Sequence, residues 1–234
     1  MSATPKSTGY FDSFDGTEIY YEVRGKGEPI VFVYGIGCLM NHWNPQIKYF
    51  SEHHKTVIFD YRAHNKSGKP EDDKNFTLES FAKDIQGLLE FLKIDSAHFV
   101  GHSFAAQVLC KTYDLYPGLF KSMTFVNGFV SNPIRGMFGS DLPTKAFETV
   151  KSGFELLPNA ITKVWQFSVS NPIAVPLSAL AGGFNLSLTN YKDIEIYAKA
   201  LSHIDLKYFI DLFEQMMTYD GTDVLSRIKC PVLI

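Results

Sequence analysis

The sequence predicts an α/β fold, a mostly parallel β-sheet with helices on both of its faces. Short apolar runs alternate along residues 1–130 with segments of helical periodicity. Parallel strands are joined by crossovers long enough to hold a helix, so this alternation favours a parallel sheet. The chain has 234 residues, of which 45% are hydrophobic. That length suits one large core, or a core plus an inserted cap.

The predicted strands come from apolar runs bounded by turn residues. Residues 8–24 form a predicted hairpin, because Asp15-Gly16 between two alternating segments is a strong signal for a tight turn. Buried strands are predicted at 29–34 (PIVFVY) and 56–59 (TVIF), and further strands at 98–100 and 122–126. A last strand begins at Cys230.

Two helices and a middle segment complete the predicted organisation. Between Thr77 and Lys93 the apolar residues recur at helical spacing, with Thr77 placed to cap the helix, and a second helix is predicted from Asp205. No strong strand appears in the middle of the chain, which predicts an inserted helical cap. Its aromatic and methionine side chains are interpreted as helix packing in preference to an acyl pocket. The predicted domains are a first part of the core at 1–130, the cap at 131–205 and a return to the core at 206–234.

The most informative segment runs from residue 95 to residue 116. A short strand leads into Gly101-His102-Ser103-Phe104-Ala105, and a helix follows at once. A serine on such a strained strand-to-helix turn stands exposed at the edge of the sheet, with the positive end of the helix dipole beside it. Small residues two positions before and after the serine, here Gly101 and Ala105, let the strand and the helix approach closely. The pattern predicts Ser103 as a nucleophile.

Three segments carry a resemblance to a known family: VFVYGIGC at 31–38, FDYRAHNKSG at 59–68 and VGHSFA at 100–105. In these segments the chain resembles the α/β-hydrolase family, in its branch of capped serine esterases, haloperoxidase-like enzymes and C–C bond hydrolases. The resemblance implies that the backbone N–H groups of Ile36 and Phe104 form an oxyanion hole. It also implies acyl transfer to water through Ser103.

The chain departs from the family pattern in two of these segments. The family's His-Gly after the third strand is Tyr34-Gly35 here, which leaves open how the loop is held. The usual Asp-x-Arg-Gly-x-Gly-x-Ser keeps Asp60, Arg62 and Ser67, but has Ala63 and Asn65 in place of the glycines. We interpret this second segment as scaffold near the rim of the site.

The resemblance places the acid of the catalytic triad just after the strand that begins at Cys230, and the histidine further on. Neither is found in the 234 residues, so the expectation is a chain that continues past Ile234, with the last strand and helix missing here. No carboxylate follows Val126, where some relatives place the acid. His102 is expected to point away from Ser103, and His203 in the cap is the other weak candidate for a base.

Two aspartates and five further histidines are interpreted as structural residues. Asp60 is taken as a loop anchor and Asp84 as a solvated helix residue. The other histidines are taken as surface or packing residues: His42, His53, His54, His64 and His98.

The sequence therefore predicts a serine hydrolase that acts on a small or medium carboxylic ester. Two alternatives stay open: an inactive ligand-binding protein of the same fold, and a C–C bond hydrolase, cofactor-free haloperoxidase or acyltransferase with the same nucleophile. A net charge of −3 argues against nucleic acid as a partner. No metal or organic cofactor is implied, no segment is long and apolar enough for a membrane span, and three scattered cysteines fit free thiols in the cytoplasm. The expected partner is a small ester, and the oligomeric state is left open.

Overall fold

The protein is built around a mostly parallel mixed sheet, seen in a computed structural model that describes residues 6–135, 140–170, 201 and 204–234. In those residues the sheet has seven strands in the order β1-β2-β4-β3-β5-β6-β7. They are β1 Lys6–Asp12, β2 Glu18–Arg24, β3 Pro29–Val33, β4 Lys55–Phe59, β5 Ala97–His102, β6 Phe120–Val126 and β7 Val232–Leu233. β2 pairs antiparallel with β1 and β4, and the other pairs are parallel. The predicted α/β fold class is confirmed.

Helices connect and follow these strands. Those described are α1 Asn44–Phe50, α2 Leu78–Phe91, α3 Ala105–Leu115, α4 Leu142–Leu156, α5 Pro158–Ser170, α6 Leu206–Thr218 and α7 Thr222–Leu225. Every helix in the described part of the chain is too short or too polar to cross a lipid bilayer.

The predicted helix after Thr77 is confirmed together with its cap. The Thr77 hydroxyl accepts a hydrogen bond from the backbone N–H of Ser80 at 3.1 Å, which satisfies one of the free donors at the start of α2. The apolar stripe of α2, including Phe81, Ile85 and Leu88, is buried. Asp205 likewise accepts from the N–H of Lys207 at 3.1 Å at the start of α6.

The hairpin between β1 and β2 is present, but its turn is wider than the predicted two-residue turn. β1 ends at Asp12, and the N–H of Ser13 donates to the carbonyl of Thr17 at 2.9 Å. Local hydrogen bonds close this wider turn, since the N–H of Gly16 donates to the carbonyl of Ser13 at 3.0 Å and the N–H of Thr17 to Oδ1 of Asp15 at 3.2 Å. The Asp15 carboxylate also pairs with Arg62, far along the chain.

The chain divides into two compact units. One consists of residues 1–133 and 211–234, and the other of residues 134–210. The described part of the second unit contains α4 and α5, which approach closely where Gly153 faces Ile161. Residues 171–200 of the predicted cap lie outside the described residues, and the role of this unit as a cap stays a prediction.

Register aligns the carboxyl ends of three neighbouring strands. β3 pairs with β5 so that Val33 lies opposite Gly101. On the other side of β3, Phe32 lies opposite Ile58 of β4. The loops that leave β4, β3 and β5 therefore begin side by side at one edge of the sheet.

A buried arginine joins the loop after β4 to α2. The Arg62 side chain is fully buried and donates to Asp84 at 2.6 and 2.8 Å, to Asp15 at 2.9 Å and to the carbonyl of Asn75 at 2.7 Å. Asp84, which also accepts from the Ser13 hydroxyl, is 1% exposed. The interpretation of Asp84 as a solvated residue is wrong, because its carboxylate is the buried counter-ion of Arg62.

Replacing this arginine is expected to be costly for stability. Arg62→Met keeps most of the side-chain volume but leaves the buried Asp84 carboxylate without its cation, a loss of about 3–5 kcal/mol in the free energy of unfolding. Urea denaturation of the variant and of the unchanged protein measures this loss. Glu79→Gln is the control, since it breaks the exposed Lys83–Glu79 pair and should have a much smaller effect. Equal losses in the two variants would contradict the assignment.

Candidate active site

Ser103 lies on a sharp turn between β5 and α3. Its backbone has a φ of 57°, in the left-handed region that residues with a side chain rarely adopt. Two hydrogen bonds hold this conformation: the Ser103 N–H donates to the carbonyl of Val126 at 3.1 Å, and the Ser103 carbonyl accepts from the N–H of Ala106 at 3.0 Å. The strain is thus supported by β6 on one side and by the helix on the other.

Strand and helix approach closely around this turn. A Cβ placed on Gly101 would lie 2.7 Å from Cδ1 of Leu109 and 3.3 Å from Cβ of Ala105. Leu109 and Ala105 are both fully buried. The space beside Gly101 is therefore already filled by α3.

The turn that follows β3 lies directly against Ser103. The N–H of Cys38 donates to the carbonyl of Gly35 at 3.1 Å, and Gly37 has a φ of 68°, which is the pattern of a type II turn. A Cβ on Gly35 would lie only 3.0 Å from Cβ of Ser103. Ile36, the residue between the two glycines, is thereby carried on a turn that touches the serine.

Phe104 occupies the N-cap position of α3 and is fully buried. An N–H group at the start of a helix has no carbonyl partner within that helix, and the helix dipole makes the position favourable for negative charge. The assignment of Ile36 and Phe104 to an oxyanion hole stays a prediction, as does the role of Ser103.

Hydrogen bonds from Tyr34 and Tyr61 hold the turn after β3 in place. The Tyr34 hydroxyl donates to Oδ1 of Asp60 at 2.9 Å and accepts from the N–H of Tyr61 at 3.1 Å. In return the Tyr61 hydroxyl donates to the Tyr34 carbonyl at 2.9 Å. These three residues are at most 2% exposed. The Tyr34 side chain thus anchors the loop through a carboxylate, which sequence reasoning missed because Tyr34 and Asp60 are far apart in the chain.

The loop after β4 supplies a further contact. Asn65 adopts a φ of 48° and Ala63 a φ of 58°, so both positions need the left-handed conformation that glycine takes most easily. The side-chain amide of Asn65 donates to Oδ1 of Asp60 at 3.2 Å and to the carbonyl of Cys38 at 3.3 Å. Burial raises the pKa of Asp60, against the hydrogen bonds from Tyr34, Lys66 and Asn65. Asp60 is confirmed as a loop anchor.

A sequence profile of the family described as alpha/beta hydrolase fold matches residues 28–184, which include the turns around Ile36 and Ser103. The chain belongs to the α/β-hydrolase family.

Two curated relatives and one solved structure illustrate the similarity of this α/β hydrolase to known proteins. The (E)-2-((N-methylformamido)methylene)succinate hydrolase of Acinetobacter baylyi is 30% identical over 112 residues, 48% of this chain and 41% of that protein. A non-heme chloroperoxidase of Streptomyces lividans is 31% identical over 98 residues, 41% of this chain and 35% of that protein. The matched stretch thus spans less than half the length of either relative. An esterase from Exiguobacterium antarcticum shares the fold, with a TM-score of 0.73 and 15% identity over 97% of this chain and 79% of that one.

The described histidines near this edge of the sheet form no hydrogen bond with Ser103. The His102 ring packs edge-on to Trp43 with centroids 6.5 Å apart, and a Cβ on Gly35 would lie 3.3 Å from its Nδ1. Burial lowers the pKa of His102. His203, the other weak candidate for a base, lies outside the described residues.

A serine–histidine contact lies at the opposite end of β5. The His98 Nδ1 is 2.7 Å from the Ser122 hydroxyl, and its Nε2 is 3.3 Å from the carboxylate of Glu28. Lys121 contacts the same Glu28 oxygen at 2.7 Å. The sequence does not suggest this group, because its members come from the starts of three different strands. This group lies far from Ser103 along β5.

His64 is deeply buried in the loop that carries Asn65. It is 1% exposed, and its Nδ1 lies 3.0 Å from the carbonyl of Arg62. Its Nε2 has no hydrogen-bond partner among the described residues. The interpretation of His64 as a packing residue is confirmed by this burial.

The close approach at Gly101 generates a prediction about stability. Gly101→Ala should lower the free energy of unfolding by about 1–3 kcal/mol, because the new methyl group overpacks a filled core. Gly118→Ala is the matched control, since nothing lies within 4 Å of a Cβ there. Urea denaturation compares the two, and a Gly101 variant as stable as the control would contradict the close packing.

His64 should make stability depend on pH. Burial lowers its pKa from 6.5 to about 4 in the folded protein. Between these values the unfolded chain binds a proton that folded His64 does not, so stability falls as the pH decreases. The loss due to His64 is about 2 kcal/mol between about pH 7 and about pH 5.

His64→Phe, which keeps a ring of similar shape, should remove that share of the pH dependence. Urea unfolding of both proteins at the two pH values measures the difference. A variant whose loss of stability equals that of the unchanged protein would show that His64 titrates normally in the fold.

Proposed function

We propose that this α/β hydrolase cleaves a small or medium carboxylic ester through an acyl-enzyme formed on Ser103. The observation that carries the proposal is the left-handed conformation of Ser103, at φ 57°, on the turn between β5 and α3. A serine held in a strained conformation by two backbone hydrogen bonds is typical of a functional position. The proposal is further supported by the turn of Ile36, which lies against the serine.

The proposed chemistry follows the usual course of acyl transfer. The Ser103 oxygen attacks the ester carbonyl as its proton passes to a base, and the negative charge develops on the former carbonyl oxygen. The N–H groups of Ile36 and Phe104 stabilise that charge. The alcohol leaves with a proton, and water then attacks the acyl-enzyme, releasing the acid and restoring the Ser103 hydroxyl.

This mechanism requires an imidazole base and a carboxylate that orients it. The described residues bring neither to Ser103. The proposal therefore requires that residues outside the described part of the protein supply both groups.

The names of the similar proteins favour hydrolysis, but they do not all describe the same reaction. One is named as a hydrolase and the structural neighbour as an esterase. The relative named as a non-heme chloroperoxidase supports a second candidate, cofactor-free haloperoxidase chemistry at the same serine. The identity of the nucleophile and the reaction that it performs must therefore be tested in separate experiments.

Labelling of the full-length protein with a fluorophosphonate probe tests the nucleophile. We expect one covalent adduct, located at Ser103 by peptide mass spectrometry, and no adduct in Ser103→Ala. Ser122→Ala is the matched control, because Ser122 is a described serine with an imidazole partner. It should be labelled at the rate of the unchanged protein. An adduct on Ser122 in place of Ser103, or no adduct at all, would contradict the proposal.

Turnover of p-nitrophenyl acetate and butyrate tests the reaction. Loss of ester hydrolysis by a factor of about 10³ or more in Ser103→Ala is expected for removal of a catalytic nucleophile. Labelling of Ser103 without hydrolysis of either ester, together with peroxide-dependent halogenation of an activated phenol, would favour the haloperoxidase candidate instead.

A further inference from the structure

We propose that Tyr34, Asp60 and Asn65 form one hydrogen-bonded clamp that positions the turn carrying Ile36 for the reaction at Ser103. The three are positioning residues, since they act on the turn and not on the reacting atoms. The inference rests on the proposed function, in which the N–H of Ile36 stabilises the developing oxyanion.

The clamp joins two segments that are distant in the chain. Both ends of the turn are held: Tyr34 at its beginning through its hydroxyl and carbonyl, and Cys38 at its end through its carbonyl. All the partners lie in the loop after β4, within residues 60–65. The Asp60 carboxylate is the centre, because the Tyr34 hydroxyl and the Asn65 amide donate to the same oxygen.

The geometry couples this clamp to the serine. Gly35 follows Tyr34 directly, and a Cβ on it would lie 3.0 Å from Cβ of Ser103. The turn can lie this close to the serine because position 35 has no side chain, and the clamp holds the turn in that position. Oxyanion donors act only within about 2.7–3.1 Å of the developing charge, and a displacement of about 1 Å can cost about a hundredfold in rate. Holding Ile36 is thus a requirement of the chemistry as well as of the fold.

Two of the three positions that depart from the family pattern, Tyr34 and Asn65, meet in this clamp. The amide of Asn65 lies 3.4 Å from the hydroxyl of Tyr34, and both contact Asp60. A glycine at position 65 would accept the φ of 48° more easily but has no amide to donate. Tyr34 and Asn65 therefore act together, and removing either leaves the other with a disturbed partner.

The experiment measures the turn and the serine separately in the full-length protein. The variants are Tyr34→Phe, Asn65→Gly and the double variant. Tyr113→Phe is the matched control, because it also removes a buried tyrosine hydroxyl. That hydroxyl accepts a hydrogen bond of 2.8 Å from the N–H of Lys229 and has no contact with the clamp. Amide hydrogen exchange of the peptide covering residues 34–38 reports the clamp. The rate of Ser103 phosphonylation at saturating fluorophosphonate, with the half-saturating concentration, reports its effect on reaction.

Each single clamp variant should increase the exchange rate of the Cys38 N–H, which donates to the carbonyl of Gly35, by about tenfold or more, because local opening of the turn then costs less free energy. The saturated labelling rate should fall by about tenfold while the half-saturating concentration changes by less than about twofold. The double variant should lose less than the product of the single losses, since both side chains act through one carboxylate. Tyr113→Phe should lower the thermal midpoint without changing either readout.

Three results would overturn the inference. Unchanged exchange of the Cys38 N–H in Tyr34→Phe would show that the clamp does not hold the turn. Faster exchange with an unchanged labelling rate would show a structural role only. Fully multiplicative losses would show that the two side chains act independently. If the unchanged protein is not labelled at Ser103, the proposed function fails, and the catalytic role of the clamp fails with it.

Discussion

The alignment of three parallel strand ends is the constraint on which the rest of the site depends. Val33 lies opposite Gly101 and Phe32 opposite Ile58, so the loops after β4, β3 and β5 leave the sheet together. A shift of one residue in either pair would turn every side chain of the strand to the other face. The contacts of Asp60 with Tyr34, and of Gly35 with Ser103, are consequences of that register.

Four of the five described non-glycine residues with a left-handed φ lie at the same edge of the sheet, and the fifth is Lys93, after α2. Ser103, Ala63, Asn65 and Asn127 all have left-handed φ values, and each lies in a loop that follows a parallel strand. Such conformations cost on the order of 1–2 kcal/mol for a residue with a side chain. They persist here because hydrogen bonds to neighbouring elements over-determine them, as the bond from the Ser103 N–H to Val126 of β6 shows.

Buried ion pairs of Arg62 stabilise the start of the loop after β4. Arg62 directly precedes Ala63 and is held by two carboxylates, Asp84 on α2 and Asp15 in the β1–β2 turn. An ion pair removed from water is tolerated only when its hydrogen bonds are complete, and the guanidinium also reaches the carbonyl of Asn75. These bonds hold Arg62, and with it the start of the loop that carries Asn65, in one position.

The sequence by itself determined the local features of this protein. The strands at 29–34 and 56–59 and the helix after Thr77 follow from apolar periodicity and capping, which neighbouring residues decide. The motif around Ser103 likewise indicates a strand–turn–helix unit and, by resemblance, the family. The tertiary structure alone decided how the turn of Ile36 is held and that Asp84 is buried. Tyr34 meets Asp60 and Arg62 meets Asp84 only after the sheet has formed, and no local pattern records partners separated by 22 residues or more.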